Sequence, residues 1–284
     1  MKRCRLLLCT LLLGPALGAA AAPPEPPVDA LKQLAQDSNT FGFDLYQRLR
    51  TQPGNLVLSP ASVTMALAMT WDGARGGTGE QMRKALHLRG SPAEVMQAAG
   101  ELARQLQDPA RPIRFRLANR LFGEQTYTFE QPYLDATRRA FGAPLEAVDF
   151  AHAAEQARQR INAWVEQQTE QRIRDLIPPR VLNADTRLAL VNAIYFLGDW
   201  QTPFTAQATR PEPFHRGDQG SKDVPTMHQR EHLRYVQAGG CKVVELPYRG
   251  GAMAMLLVLP DQPDGIAALE QSLDEPGLER LVQG

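Results

Sequence analysis

The chain has 284 residues, of which 43% are hydrophobic and 22% are charged, and its 31 basic and 31 acidic residues give a formal net charge of zero. A chain of this length and apolar content can bury one large core, which excludes a disordered protein and a small scaffold held by disulfides. The balanced charge creates no overall attraction to nucleic acid or to anionic membranes, so neither is an expected partner.

The amino terminus has the pattern of an export signal. A basic start leads into the apolar run 6–13, and small residues follow at 18–22. The run is too short to span a bilayer, so we predict a signal peptide over residues 1–22 and one domain over residues 23–284. The expected location is therefore secreted, extracellular or periplasmic. Cleavage would leave Cys241 as the one cysteine, and we expect it to be buried.

Three helices are predicted in the first part of the chain. Apolar positions at helical spacing predict the first helix over residues 28–49. Ser59 is a favoured N-cap residue, and Pro60 suits the first position of the second helix. The third helix begins with a capping box, in which Ser91 is followed three positions later by Glu94.

A glycine-rich stretch, Gly73 to Gly79, follows the second helix. Glycines in this pattern invite a phosphate-binding interpretation, but the required Lys-Ser/Thr pair is absent and no strand precedes the stretch. We interpret it as a corner between helices that needs positive φ angles.

Alternating apolar and basic residues predict a strand from residue 113, with one face in water. Its basic positions are read as a solvated face, so we do not expect a glycosaminoglycan partner; they are Arg111, Arg114, Arg116 and Arg120.

Further elements follow in the second half of the chain. An amphipathic helix is predicted from Ala154 to Ile173, and the apolar run 188–196 predicts a strand covered on both faces. Two more strands flank a glycine turn at 250–251, and a helical pattern resumes over 265–273.

Two segments resemble the serpin (serine protease inhibitor) family. Residues 55–86 combine Ser59-Pro60-x-Ser62, an apolar helix and the glycine-rich corner. Residues 190–204, which include Asn192 and Trp200, resemble the family's central strand. The resemblance implies an α+β serpin fold, with several helices packed on a large mixed β-sheet and a second, smaller sheet.

The resemblance also implies roles for individual residues. Ser59, Ser62 and Asn192 match the family's shutter, the polar cluster beneath the point where the large sheet parts, and Trp200 matches the breach at the top of that sheet. An amide left unpaired in an apolar strand would cost about 1–3 kcal/mol, so we expect Asn192 to bind near one of the two serines.

In this family, an exposed loop is cleaved by a target protease and inserts into the central sheet as a new strand. The resemblance therefore implies an inhibitor of serine or cysteine proteases, not an enzyme, with a target protease as partner and no cofactor. Family chains continue past the equivalent of Gly284, so we expect a fragment without the reactive loop and the carboxy-terminal strands. Such a fragment should leave an apolar strand edge unpaired at 188–196 or 253–259, associate with itself and trap no protease.

Two other functions stay open. The resemblance also allows a non-inhibitory serpin, which would act as a carrier or structural protein. A secreted zinc hydrolase would use His228, Glu231 and His232, which match the H-x-x-E-H pattern. In extended chain these histidines would be about 13 Å apart, too far for one zinc ion, so we do not expect a metal site. Few lysines and many alanines and prolines suggest a bacterial source.

Overall fold

The computed structural model describes residues 28–142, 144–216 and 220–283, so the predicted signal peptide over residues 1–22 lies outside the described residues. The described helices are α1 (Val28–Leu49), α2 (Pro60–Gly73), α3 (Gly76–Ala85), α4 (Pro92–Leu106), α5 (Gln131–Phe141), α6 (Phe150–Gln168), α7 (Ile266–Ser272) and α8 (Glu275–Gln283). The described strands are β1 (Ile113–Glu124), β2 (Leu145–Val148), β3 (Leu188–Gly198), β4 (Arg210–His215), β5 (Ser221–Thr226), β6 (Arg234–Ala238), β7 (Cys241–Pro247) and β8 (Ala254–Pro260). Among these helices, none has the length and apolar character needed to cross a membrane.

The strands form three separate sheets in the described part of the chain. The first has the order β2-β1-β3, with β1 parallel to β2 and antiparallel to β3. A β4-β5 hairpin forms the second sheet, and the antiparallel order β6-β7-β8 forms the third. Both β3 and β8 lie at the edges of their sheets in the described part. The sequence predicts an unpaired edge at one or both of these strands.

Helix boundaries follow the predicted capping chemistry. Ser91 accepts a hydrogen bond from the backbone N–H of Glu94, and the Glu94 side chain accepts one from the backbone N–H of Ser91, which completes the capping box of α4. Gly76, at φ 58°, provides the positive φ angle between α2 and α3. The predicted corner is therefore confirmed only for residues 74–76, because the rest of the glycine-rich stretch belongs to the end of α2 and the first turn of α3.

Three apolar clusters hold the elements together. The first joins α1, α2 and α4 to one face of β1, with Met65 and Leu88 at its centre. The second lies between α6 and the opposite face of the β1–β3 pair and contains Phe122 and Ile161. The third is small and centres on Val243 in β7. The helices thus cover both faces of the first sheet, so its interior positions are fixed from two sides.

Two predictions need correction. The strand over 188–196 is not covered on both faces along its whole length. Val191 and Ala193 are buried, but the Phe196 side chain is 37% exposed in the described structure. The helix predicted from Ala154 ends at residue 168, so Ile173 lies beyond it, although Ile173 still packs against the cluster beneath α6. The helix was predicted too long because the turn after α6 also places an apolar side chain, Ile173, at the spacing expected for a helix.

Candidate functional site: the polar junction of α2, β1 and β3

Three polar side chains meet where α2 passes beneath the first sheet, and we call Ser62, Asn119 and Asn192 the polar junction. The Ser62 hydroxyl, on a residue that is 6% exposed, donates a hydrogen bond to the Asn192 side-chain oxygen. The Asn192 Nδ2 group in turn donates to the Asn119 Oδ1 atom at 2.5 Å. One chain of hydrogen bonds therefore connects a helix to two neighbouring strands, and the predicted contact between Asn192 and a serine is confirmed for Ser62.

Strand register brings the two amides together. Asn119 in β1 and Asn192 in β3 are directly opposite each other in the antiparallel pair. Side chains at directly opposed positions are close enough to interact across the strands. Sequence reasoning identified Asn192 and missed Asn119, although Asn119 is the one polar residue among the alternate positions 113, 115, 117, 119 and 121.

Ser59 is the N-cap of α2, as predicted. Its side chain accepts a hydrogen bond from the backbone N–H of Ser62 at 3.4 Å, as the N-cap of α2. The described hydrogen bonds include none between Ser59 and Asn192. Ser59 therefore orients the first turn of the helix, and this turn presents Ser62 to the strands.

Charged contacts fix α6 across the front of the same strands. Arg120 of β1 lies 2.5 Å from a Glu146 carboxylate oxygen of β2, and the other Glu146 oxygen lies 2.5 Å from Arg160 of α6. The Arg120 guanidinium also sits 4.8 Å from the centre of the Trp164 ring, a cation–π contact. Arg116 pairs with Glu170 at 2.8 Å, just beyond the helix.

These contacts correct the prediction of a solvated basic face on β1. Arg116 and Arg120 face α6 and its exit, where each has an acidic partner. The alternation that identified the strand could not reveal that a helix from later in the chain covers this face. The expectation that no glycosaminoglycan binds stays a prediction.

A buried carboxylate holds the start of α6. Glu124, at the end of β1, is 2% exposed and accepts hydrogen bonds from the backbone N–H groups of Phe150 and Ala151. Burial raises the pKa of Glu124, but the hydrogen bonds from Thr126, Phe150 and Ala151 together hold that pKa below its ordinary value. The carboxylate also meets the positive end of the helix dipole there.

The exit of α6 carries backbone strain. Glu170 and Gln171 have φ angles of 49° and 60°, in the left-handed region that residues with a Cβ atom rarely adopt. The segment that follows is tied back to the helix, because Asn162 donates to the Ile177 carbonyl at 3.0 Å and accepts from the Ile177 N–H at 2.9 Å. The helix is thus anchored at its start, along its length and after its end.

Trp200 connects the first and third sheets. Its ring stacks on the Tyr248 ring at 4.6 Å and 11°, and the two residues form an isolated backbone bridge. Phe196 also meets Tyr248, edge to face, at 4.9 Å. Gly198 permits this approach, because an added Cβ atom would lie 2.8 Å from the Tyr248 ring. The residue predicted for the breach therefore lies where the end of β3 meets the end of β7.

The H-x-x-E-H segment lies in irregular chain between β5 and β6. His228 is within 3.2 Å of Glu212 on β4, while Glu231 and His232 are exposed. Nowhere in the described ranges do three or more His, Cys, Asp or Glu side chains form a group that could hold a metal. A helix, which would bring the two histidines to about 6 Å along its axis, is not formed over this segment. The absence of a zinc site stays a prediction.

Comparison with known proteins gives a consistent family match. The family described as "Serpin (serine protease inhibitor)" matches residues 36–284. The leukocyte elastase inhibitor of Sus scrofa is 39% identical over 259 residues, covering 88% of this chain and 68% of the relative. Serpin B3 of Homo sapiens is 36% identical over 261 residues, covering 86% of this chain and 67% of the relative. The structure of ovalbumin from emu (Dromaius novaehollandiae) aligns with a TM-score of 0.83 at 30% identity, over 87% of this chain and 68% of that one.

Proposed function

This chain belongs to the serpin family, and we propose that its polar junction is the lock that keeps the central sheet of a serpin-type protease inhibitor closed. The protein is accordingly an inhibitor of proteases and not an enzyme. The single observation that carries the proposal is the hydrogen-bond chain from Ser62 through Asn192 to Asn119.

The geometry supports a lock because the three groups depend on one another. Asn192 both accepts from the helix and donates to the neighbouring strand, so displacing β3 breaks both bonds together. Each hydrogen bond contributes only about 0.5–1.5 kcal/mol net, which is small enough to be replaced when a new partner arrives. The outer edge of β3, unpaired in the described part, is where a strand can be added.

We propose that α6 acts with the polar junction. Any outward movement of β1 relative to α6 separates Arg120 from Trp164 and Arg116 from Glu170. These side chains are partly exposed, so their pairs each contribute about 0.2–1 kcal/mol and weaken with salt. The ion pairs therefore oppose the movement of α6 without preventing it.

Two matched serine substitutions test the lock. Ser62→Ala removes the donor to Asn192, whereas Ser59→Ala removes the helix cap and leaves the Ser62–Asn192 bond in place. We expect Ser62→Ala to increase hydrogen exchange at the β1 and β3 amides, and Ser59→Ala to increase it only in the first turn of α2. If hydrogen exchange at the β1 and β3 amides is equally fast in the two variants, the proposal is wrong.

Protease trapping tests the inhibitory function. A gene product that carries the family's reactive loop is incubated with a panel of serine and cysteine proteases and analysed under denaturing conditions. A covalent complex supports inhibition by loop insertion. Cleavage of the protein without a complex supports the second candidate, a non-inhibitory serpin that serves as a carrier or structural protein.

We also propose that the protein is exported. The support is the amino-terminal sequence alone: a basic start, the apolar run 6–13 and the small residues 18–22. Sequencing the amino terminus of the secreted product tests the proposal, and a mature protein that retains residue 1 would contradict it. A bacterial source stays a prediction from composition, and the relatives described above come from animals.

A further inference from the structure

One concave surface in the described part of the chain shares no residue with the polar junction. It is a groove of about 740 Å³ between the end of α2, the connection from β1 to α5, and the start of β3. We call it the basal groove. Its volume is within the range of small-molecule sites, which is about 300–1,000 Å³.

Aromatic side chains line the basal groove. The rings of Tyr127 and Phe129 meet edge to face with centroids 5.0 Å apart, and Tyr127 is 52% exposed. The Tyr133 ring lies against the backbone of Gly73, where an added Cβ atom would be 3.2 Å away. Leu188, at the start of β3, is 37% exposed and completes the apolar lining. A flat apolar body would bury these surfaces on binding.

Two arginines supply positive charge at the same groove. Arg75 donates to the backbone carbonyls of Asp72 and Ala74, and Arg187 donates to the carbonyl of Ala184 at 2.8 Å. Neither guanidinium has a carboxylate partner among the described residues, so each has donors to spare for a ligand.

The charge balance of the lining is positive. Glu130 is the one acidic residue among the described lining residues, against Arg75 and Arg187. Guanidinium groups bind carboxylates with paired, charge-assisted hydrogen bonds. We propose that the basal groove binds a small molecule with an aromatic body and a terminal carboxylate.

The two parts of the ligand have separate contacts. The aromatic body lies on Tyr127 and Phe129, and the carboxylate lies toward Arg75 and Arg187. None of its lining residues belongs to the polar junction, and the binding assay needs no protease.

A pair of probes that differ only in charge tests the proposal. 1-Pyrenebutyrate has the aromatic body and the carboxylate, and 1-pyrenebutanol replaces the carboxylate with a neutral hydroxyl. Titration calorimetry and probe fluorescence give both dissociation constants. We expect one site per chain and about tenfold tighter binding of the carboxylate, since two partly exposed ion pairs supply that factor.

Variants separate the two parts of the site. The double substitution Arg75→Gln/Arg187→Gln should reduce the preference for the carboxylate to less than about twofold while pyrenebutanol still binds. Tyr127→Ala should weaken both probes about fivefold through the lost ring contact. Arg230→Gln, in the exposed segment between β5 and β6, is the matched control and should leave both constants unchanged.

Three outcomes would overturn the proposal. They are equal affinity for the two probes, a carboxylate preference that survives the double substitution, and an equal loss of binding in the Arg230→Gln control. The three arginines are exposed, so folding of each variant is expected and is checked by circular dichroism. If the double variant unfolds, the two single variants answer the same question, each with part of the effect.

Discussion

Two antiparallel strand pairs in this molecule are closed by different chemistry. The β1–β3 pair carries opposed amides, Asn119 and Asn192, tied to a helix hydroxyl. The β7–β8 pair opposes Val243 to Val258 within a small apolar cluster. A hydrogen bond is directional and can be exchanged for another, whereas apolar packing loses stability in proportion to the area exposed. The polar junction can thus exchange its bonds when β3 is displaced, whereas the β7–β8 pair can separate only by exposing apolar area.

The largest test of this contrast is Asn192→Ala. The substitution leaves the Ser62 hydroxyl and the Asn119 oxygen without their partner, which we expect to cost about 2 kcal/mol in the free energy of unfolding. Urea denaturation measures the loss, and hydrogen exchange should show it at β1 and β3 but not at β7 and β8. A loss below about 0.5 kcal/mol would mean that the polar junction does not hold the strands together.

The apolar counterpart is Val243→Ala in the third sheet. Removing two methyl groups from a side chain that is 3% exposed should cost about 1.5 kcal/mol. Exchange should increase at β7 and β8 and stay unchanged at β1 and β3. If the β1–β3 amides respond equally, the two regions unfold as one unit and the contrast fails.

The first sheet also contains a buried carboxylate, Glu124, whose contribution to stability depends on pH. Hydrogen bonds from Thr126, Phe150 and Ala151 hold the pKa of Glu124 below its ordinary value despite its burial, so its contribution is present above about pH 4.3 and is lost as pH falls through the folded pKa. We expect Glu124→Gln to show a shallower loss of stability than the unmodified protein as the pH falls below about 4.3.

The smallest expected effect is a gain, at the exit of α6. Gln171→Gly relieves the left-handed conformation at φ 60°, which costs about 1–2 kcal/mol for a residue with a Cβ atom, but adds glycine's own entropic cost. The net stabilisation should be about 0.5 kcal/mol in thermal unfolding. Gln168→Gly, within the last turn of the helix, is the control and should destabilise by about 1 kcal/mol.

Local chemistry predicted much of the fold. The cap at Ser59 and the capping box at Ser91 were visible because each depends on residues within four positions. In contrast, β2 and α5 were missed. β2 has four residues, too few for a periodic pattern, and α5 begins after Glu130, which makes no side-chain cap bond.

Only the part of the candidate site that depends on local chemistry was predicted. An amide in an apolar strand must find a partner, and that argument correctly brought Asn192 to Ser62. Identifying Asn119 required the strand register, which depends on the packing of the whole sheet. The roles of Arg116 and Arg120 depended on acidic residues from a distant part of the chain, and no local pattern contains that information.

The buried thiol of Cys241 allows local opening of the third sheet to be measured. The residue is 1% exposed, and its thiol donates to the Ala238 carbonyl at 3.1 Å. Burial, followed by the charge of Asp261, raises the pKa of the thiol, so the closed state presents almost no reactive thiolate. In a chain whose cysteines at positions 4 and 9 are replaced, modification by a thiol reagent can then proceed only as fast as the turn between β6 and β7 opens. With enough reagent that each opening leads to modification, the labelling rate equals the opening rate, and no denaturant is needed.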